Sequence, residues 1–236
     1  MFCFQCQETA KGEGCKIKGV CGKTPEVANL QDLLIFLLKG LSKYTTQLRE
    51  LGEEYPKANH FIMNSLFMTI TNANFDKERF IKQINELYEI RKEVAERIKA
   101  KNKSIIFHEN CDCMTWEEKD LQKIEDKAAQ VGILTCENED VRSLRELITY
   151  GLKGMAAYIE HAANLKYEDV EIFAFMQRAL VAISEETSVE ELIKLTLECG
   201  QFGVKAMALL DKANTSTFGN PEITKVILEL GIIQLS

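Results

Sequence analysis

Three prolines, one tryptophan and three histidines are scattered through 236 residues. So few prolines leave long helices uninterrupted. The three histidines are His60, His108 and His161. A di-iron helical bundle needs Glu-x-x-His pairs facing inward from two helices. None occurs here; Glu160 and His161 are adjacent and point to different faces. His60 falls in the first turn of an expected helix and reads as a surface or capping residue. His-Glu-x-x-His, Gly-x-Ser-x-Gly and a glycine-rich phosphate loop are also missing. Nucleophilic catalysis therefore has no candidate with a base beside it.

Positive charge is not in excess either. The formal net charge is −7, which argues against nucleic acid as a partner. The longest apolar run, Leu33 to Leu38, is far too short to span a membrane. The amino terminus lacks a basic stretch followed by an apolar one, so no secretory signal is expected. Eight cysteines without such a signal point to a reducing cytoplasm and to metal chemistry rather than disulfides. Apolar residues at 46% and charged residues at 28% are those of an ordinary globular protein.

Half of those cysteines stand in the first 25 residues, at Cys3, Cys6, Cys15 and Cys21. The spacing is C-x2-C-x8-C-x5-C. Gly12, Gly14, Gly19 and Gly22 interleave with them, and no helical periodicity runs through the segment. Such a stretch cannot bury a core of its own; bound metal would hold it. One close pair plus two lone cysteines suits an iron–sulfur cluster, where each thiolate meets a different iron. Structural zinc more often takes two close pairs, but it stays open on spacing alone, as do disulfides or free thiols. Elsewhere, Cys111-Asp-Cys113 beside His108 and Glu109 reads as a loop. A second metal site or redox pair there is the functional alternative, and the C-x-C spacing is tight for a disulfide. Cys136 and Cys199 read as buried, inert thiols.

The rest is helical by pattern. Thr24-Pro25-Glu26 opens a helix with Val27, Leu30, Leu33, Leu34, Leu37, Leu38 and Leu41 on one face, ending near Gly52. Pro56 starts a second through Phe61, Ile62, Leu66, Phe67 and Ile70. Asp76 caps a third to about Lys101 along Phe80, Ile84, Leu87, Ile90, Val94 and Ile98. Ser104–Phe107 is a short strand or extended linker. Thr115-Trp-Glu-Glu118 fits a capping box opening a helix to about Gln130. Further helices are expected from Asn138 or Glu139 to about Asn164, from Tyr167 to Ser184, and from a second capping box at Ser188 to about Leu210. Lys39-Gly-Leu-Ser-Lys-Tyr44 aligns with Lys153-Gly-Met-Ala-Ala-Tyr158, and Asp76–Ile81 with Ser188–Ile193, at offsets of 112 to 114 residues. The expected fold is all-α: two three-helix bundles (26–102 and 138–214) related by an internal pseudo-repeat. A cysteine-rich loop (1–25) precedes them, a connector (103–137) joins them and a tail (215–236) follows.

These residues carry a resemblance. Met1-Phe-Cys-Phe-Gln-Cys-Gln-Glu-Thr-Ala10 and Gly19-Val-Cys-Gly-Lys-Thr-Pro25 resemble the amino terminus of the hybrid-cluster proteins, also called prismane proteins or hydroxylamine reductases. The likeness continues through Leu30–Leu34, Lys39–Leu41, Glu137–Leu147, Gly151–Tyr158, Leu210–Asn214 and Gly219–Val226. It implies that Cys3, Cys6, Cys15 and Cys21 bind a [4Fe–4S] cluster that accepts one electron and passes it to a redox partner. It also implies two bundles packed at a steep angle. Family members are about twice as long, and their catalytic mixed cluster is held by residues beyond the matched segment. None of those ligands can be carried over, so the resemblance implies an electron-transfer domain that does not turn over hydroxylamine or nitric oxide alone. A non-redox zinc or interaction module is the alternative. After Lys225-Val226 the family reads Asn-Ile-Gly-Val-Arg-Asn-Asn-Pro, whereas this chain reads Ile227-Leu-Glu-Leu-Gly-Ile-Ile-Gln-Leu-Ser236. The two strings are compatible with one DNA sequence read one base out of frame. A shortened longer ancestor is therefore expected, with an unrelated tail as the alternative. Six strongly apolar residues in the last ten suggest that this tail packs back on its own domain or joins a second copy in a homo-oligomer; fraying is the third outcome.

Overall fold

A computed structural model describes residues 1–103 and 111–222. The expected strand at Ser104–Phe107, the neighbours His108 and Glu109, and the tail from Ile227 to Ser236 lie outside the described residues. Among the described residues the chain is all-α. The helices are α1 (Pro25–Glu50), α2 (Pro56–Met68), α3 (Lys77–Lys101), α4 (Asp112–Thr115), α5 (Leu121–Gln130), α6 (Glu139–Asn164), α7 (Val170–Ala182) and α8 (Val189–Phe218).

Local chemistry sets most boundaries. Thr24 Oγ1 accepts the Val27 N–H at 3.4 Å, and Pro25 occupies the first turn of α1. Asp76 and Asn138 cap α3 and α6 through their side-chain oxygens. The Ser188–Glu191 capping box opens α8 with both reciprocal bonds made. Two of the expected starts differ. The helix expected from Thr115 begins instead at Leu121, capped by Asp120 Oδ1, which accepts from Lys123 N at 3.1 Å. The intervening backbone is drawn away from helical geometry because Arg91 Nη1 donates to the Trp116 carbonyl at 3.0 Å. The Glu118 carboxylate accepts the Lys119 and Asp120 N–H groups as well. The helix expected from Tyr167 begins at Val170, because Asp169 caps it through Glu171 N. α8 runs on to Phe218, beyond the expected end at Leu210 and across the expected boundary at 214.

α1 is the central element. Its Leu30, Leu33, Leu34, Leu37, Leu38 and Leu41 are fully buried, each stabilising the fold by roughly 2 kcal/mol. α1 packs against α3, α4, α5 and α7, while α6 packs against α8 and α2. One apolar core therefore runs through both halves. A buried polar network ties them as well. Arg49 donates to Asn59 Oδ1 at 2.7 Å and to Gln177 Oε1 at 3.1 Å, and Gln177 Nε2 donates to Asn59 Oδ1 at 2.7 Å. His60 belongs to the same seam, with Nε2 3.1 Å from Glu168 and its ring against Phe173.

The halves correspond in order and length. α1 and α6 each have 26 residues and start 114 residues apart, and α2 and α7 each have 13 and start 114 apart. α3 and α8 have 25 and 30 residues and start 112 apart.

Candidate metal centre

The cysteine loop lies before α1. Cys3 and Cys15 face each other through reciprocal backbone bonds, Cys3 N to Cys15 O at 3.0 Å and Cys15 N to Cys3 O at 2.7 Å. Cys15 is buried, Cys3 and Cys6 are half-buried, and Cys21 is exposed at the far turn. Gly19 leaves room for that turn: a Cβ there would stand 3.1 Å from Cys21 Sγ and from the Lys23 backbone nitrogen. The loop thus brings Cys3 and Cys15 together. Among the described residues no three His, Cys, Asp or Glu side chains converge tightly enough to hold a single metal ion.

Hydrogen bonds from both halves position the loop. The Gln5 carbonyl accepts from Tyr150 OH of α6 at 2.9 Å and from Thr71 Oγ1, just after α2, at 3.5 Å. The Gln5 amide orientation that satisfies its neighbours accepts from Lys153 Nζ at 3.0 Å and donates to the Thr69 carbonyl at 3.2 Å. Lys23 is buried, with Nζ 2.7 Å from Gln31 Oε1 and 3.9 Å from Cys3 Sγ. Among the described residues no carboxylate closes an ion pair with it, and Gln31 Nε2 is buried without a partner. Lys153 is buried too, and burial pushes its ammonium down to about 8 against the opposing pull of Asp32 and Glu146.

The sequence assigned no role to Lys23 or Lys153. Lysines in a turn and on an amphipathic helix ordinarily read as solvated; the available signal was that Lys153 stands at the repeat position of Lys39.

The other cysteines divide differently from expectation. Cys111 and Cys113 are disulfide-bonded, despite their tight spacing. Cys111 caps α4 there, and Cys113 is fully buried against α1. Cys199 is buried as expected, and burial, with Glu198 nearby, pushes its thiol up to about 11. Cys136 is only half-buried; its Sγ lies 3.9 Å from Arg145 Nη1.

Known proteins supply the remaining context. The model of the Prismane/CO dehydrogenase family matches residues 1–235. A hydroxylamine reductase of Parabacteroides distasonis is 58% identical over 232 residues, covering 98% of this chain and 42% of its own length. Hydroxylamine reductases of Clostridium novyi and Desulfitobacterium hafniense are each 56% identical, covering 96% of this chain and 41% of their own length. The chain thus spans about two fifths of the length of these relatives. With nearly every residue matched, this chain belongs to the Prismane/CO dehydrogenase family.

Proposed function

We propose that Cys3, Cys6, Cys15 and Cys21 hold a [4Fe–4S] cluster and that the chain is an electron-transfer domain corresponding to the amino-terminal part of a hydroxylamine reductase. The observation that carries this reading is Lys23. A buried ammonium whose only hydrogen-bond partners are a neutral amide and a sulfur, with Asp32 near but closing no ion pair with it, is costly. An anionic thiolate cluster at Cys3 would supply the missing counter-charge, and the orphan Gln31 N–H would find an acceptor in the same place. Four thiols on one loop, two of them paired through their backbones, fit a cluster whose irons each take one ligand. Members of the prismane family bind iron–sulfur clusters, which supports the coarser part of this reading.

Bound there, the cluster would supply one-electron chemistry. Lys23 would stabilise its negative charge, and exposed Cys21 would mark the side open to a redox partner protein. Hydroxylamine reduction in the longer relatives would draw on parts outside this segment. Anaerobic purification followed by Cys15→Ser tests the assignment. The parent should be brown with broad thiolate-to-iron absorption, and the variant should hold a three-iron or empty site. A colourless parent with one zinc per chain, or a variant with parental iron content, would overturn it.

A further inference from the structure

A cavity of about 240 Å³ opens between α1 and α6, with Phe2, Cys3, Phe4 and Gln5 of the amino-terminal loop on its wall. Asp32 and Lys39 reach it from α1, Glu146 and Lys153 from α6. Within each helix the acid and the lysine stand seven residues apart, two turns along one face. Each α6 residue follows its α1 counterpart by 114 positions, the offset that separates the starts of the two helices. Lys153 is the strongest charged neighbour of Asp32, and Glu146 that of Lys39, so each carboxylate faces the lysine of the other helix. Neither pair closes. Among the described residues the carboxylates of Asp32 and Glu146 and the ammonium of Lys39 make no hydrogen bond or direct ion pair.

Two arginines complete the wall. Arg142 Nη1 donates to the Cys136 carbonyl at 2.9 Å. Arg145 is fixed by Cys136 Sγ and by the Glu185 carbonyl, which leaves its Nε–H buried and without a partner. Four cations thus surround two carboxylates. Burial pushes the Asp32 carboxyl up to about 7 and the Glu146 carboxyl up as well, and it pushes the Lys39 ammonium down and that of Lys153 down to about 8. Lys39 keeps its N–H donors and Arg145 its Nε–H without a protein acceptor among the described residues. A bound cation would meet four positive groups. Water would fill the space but leave the excess charge uncompensated. An anion supplies both acceptors and charge through ion-assisted hydrogen bonds.

We propose that this cavity is a binding site for a small oxyanion, held between Lys39, Lys153 and Arg145. Calorimetric titration of inorganic phosphate and of sulfate into the full chain tests this, with ionic strength held constant by chloride. Saturable binding with a Kd of about 1 mM or tighter is expected for at least one of the two. Lys39→Met should weaken it roughly tenfold or more. Asp32→Asn, which removes a competing negative charge, should tighten it, and this variant decides the matter if Lys39→Met fails to fold. No saturable binding of either anion, or an affinity unchanged in the folded variants, overturns the site.

Discussion

Gly40 shows how much one missing methyl can decide. It lies on α1 under the carbonyl of Cys113, and a Cβ at this position would collide with that backbone. α4 can therefore sit against α1 only while residue 40 is glycine. Gly40→Ala should lower stability by on the order of 2 kcal/mol, the cost of overpacking a buried contact, read as a fall in the thermal midpoint; an unchanged midpoint would mean that α4 shifts freely. Asp32 gives a second residue-level expectation, with a definite sign. Its folded pKa of about 7 lies above the ordinary 3.8. Between those values the folded state keeps a proton that the unfolded state has released, so this group lowers stability as pH rises from about 4 to about 7, with no further change above. In oxyanion-free buffer the thermal midpoint of Asp32→Asn should gain on the parent across that window and then hold level. A difference flat from pH 4 to 8 would contradict the burial argument. Lys23→Met should leave the proposed cluster bound but lower its reduction potential, because the reduced, more negative form loses a buried cation; spectroelectrochemistry reads the direction. At this scale the cysteine spacing predicts the backbone pairing of no two thiols in particular; Cys3 and Cys15 meet only because the loop folds back on itself. Asp32, Lys39, Glu146 and Lys153 were not legible either. Charged residues on amphipathic helices read as a solvated face until the opposing helix is known.

Helix ends obeyed the same division. Thr24, Asp76, Asn138 and Ser188 cap through bonds that their own sequence neighbourhood specifies, and all four were readable. Thr115 was misread because Arg91 of α3 claims the carbonyl of Trp116, 25 positions along the chain, and holds the segment extended. The end of α8 was placed too early because its apolar pattern weakens before the helix does; exposed polar residues such as Asp211 and Lys212 continue it. α1 and α6 are equal in length, as are α2 and α7. The polar seam between these elements had no sequence signature at all. Asn59→Ala would leave Arg49 and Gln177 each short of an acceptor in a buried place, at a cost of about 1–3 kcal/mol. Denaturant unfolding checks it, and a change below about 0.5 kcal/mol would mean that water replaces the amide.

For the molecule as a whole, among the described residues no helix is long and apolar enough to cross a membrane. α6 and α8 nevertheless expose Leu147, Tyr158, Val204 and Met207 around a shallow apolar groove, and Leu197 of α8 is exposed as well. Contiguous apolar surface of this kind drives association. In isolation the chain should pair with a second copy through this face, and Leu197→Lys with Val204→Lys should return it to a monomer by light scattering; an oligomer indifferent to both changes would place the contact elsewhere. The all-α architecture was legible because apolar periodicity reports burial directly. The shared core of the two halves was not, because periodicity does not say which buried face meets which. One measurement bears most directly on the amino-terminal loop: iron and acid-labile sulfide per chain in anaerobically purified protein, with electron paramagnetic resonance after one-electron reduction. The four-thiolate assignment predicts about four irons and four sulfides per chain and a signal from a single reduced cubane. Zinc in place of iron, or iron that persists when Cys3, Cys6, Cys15 and Cys21 are all replaced by serine, would contradict it.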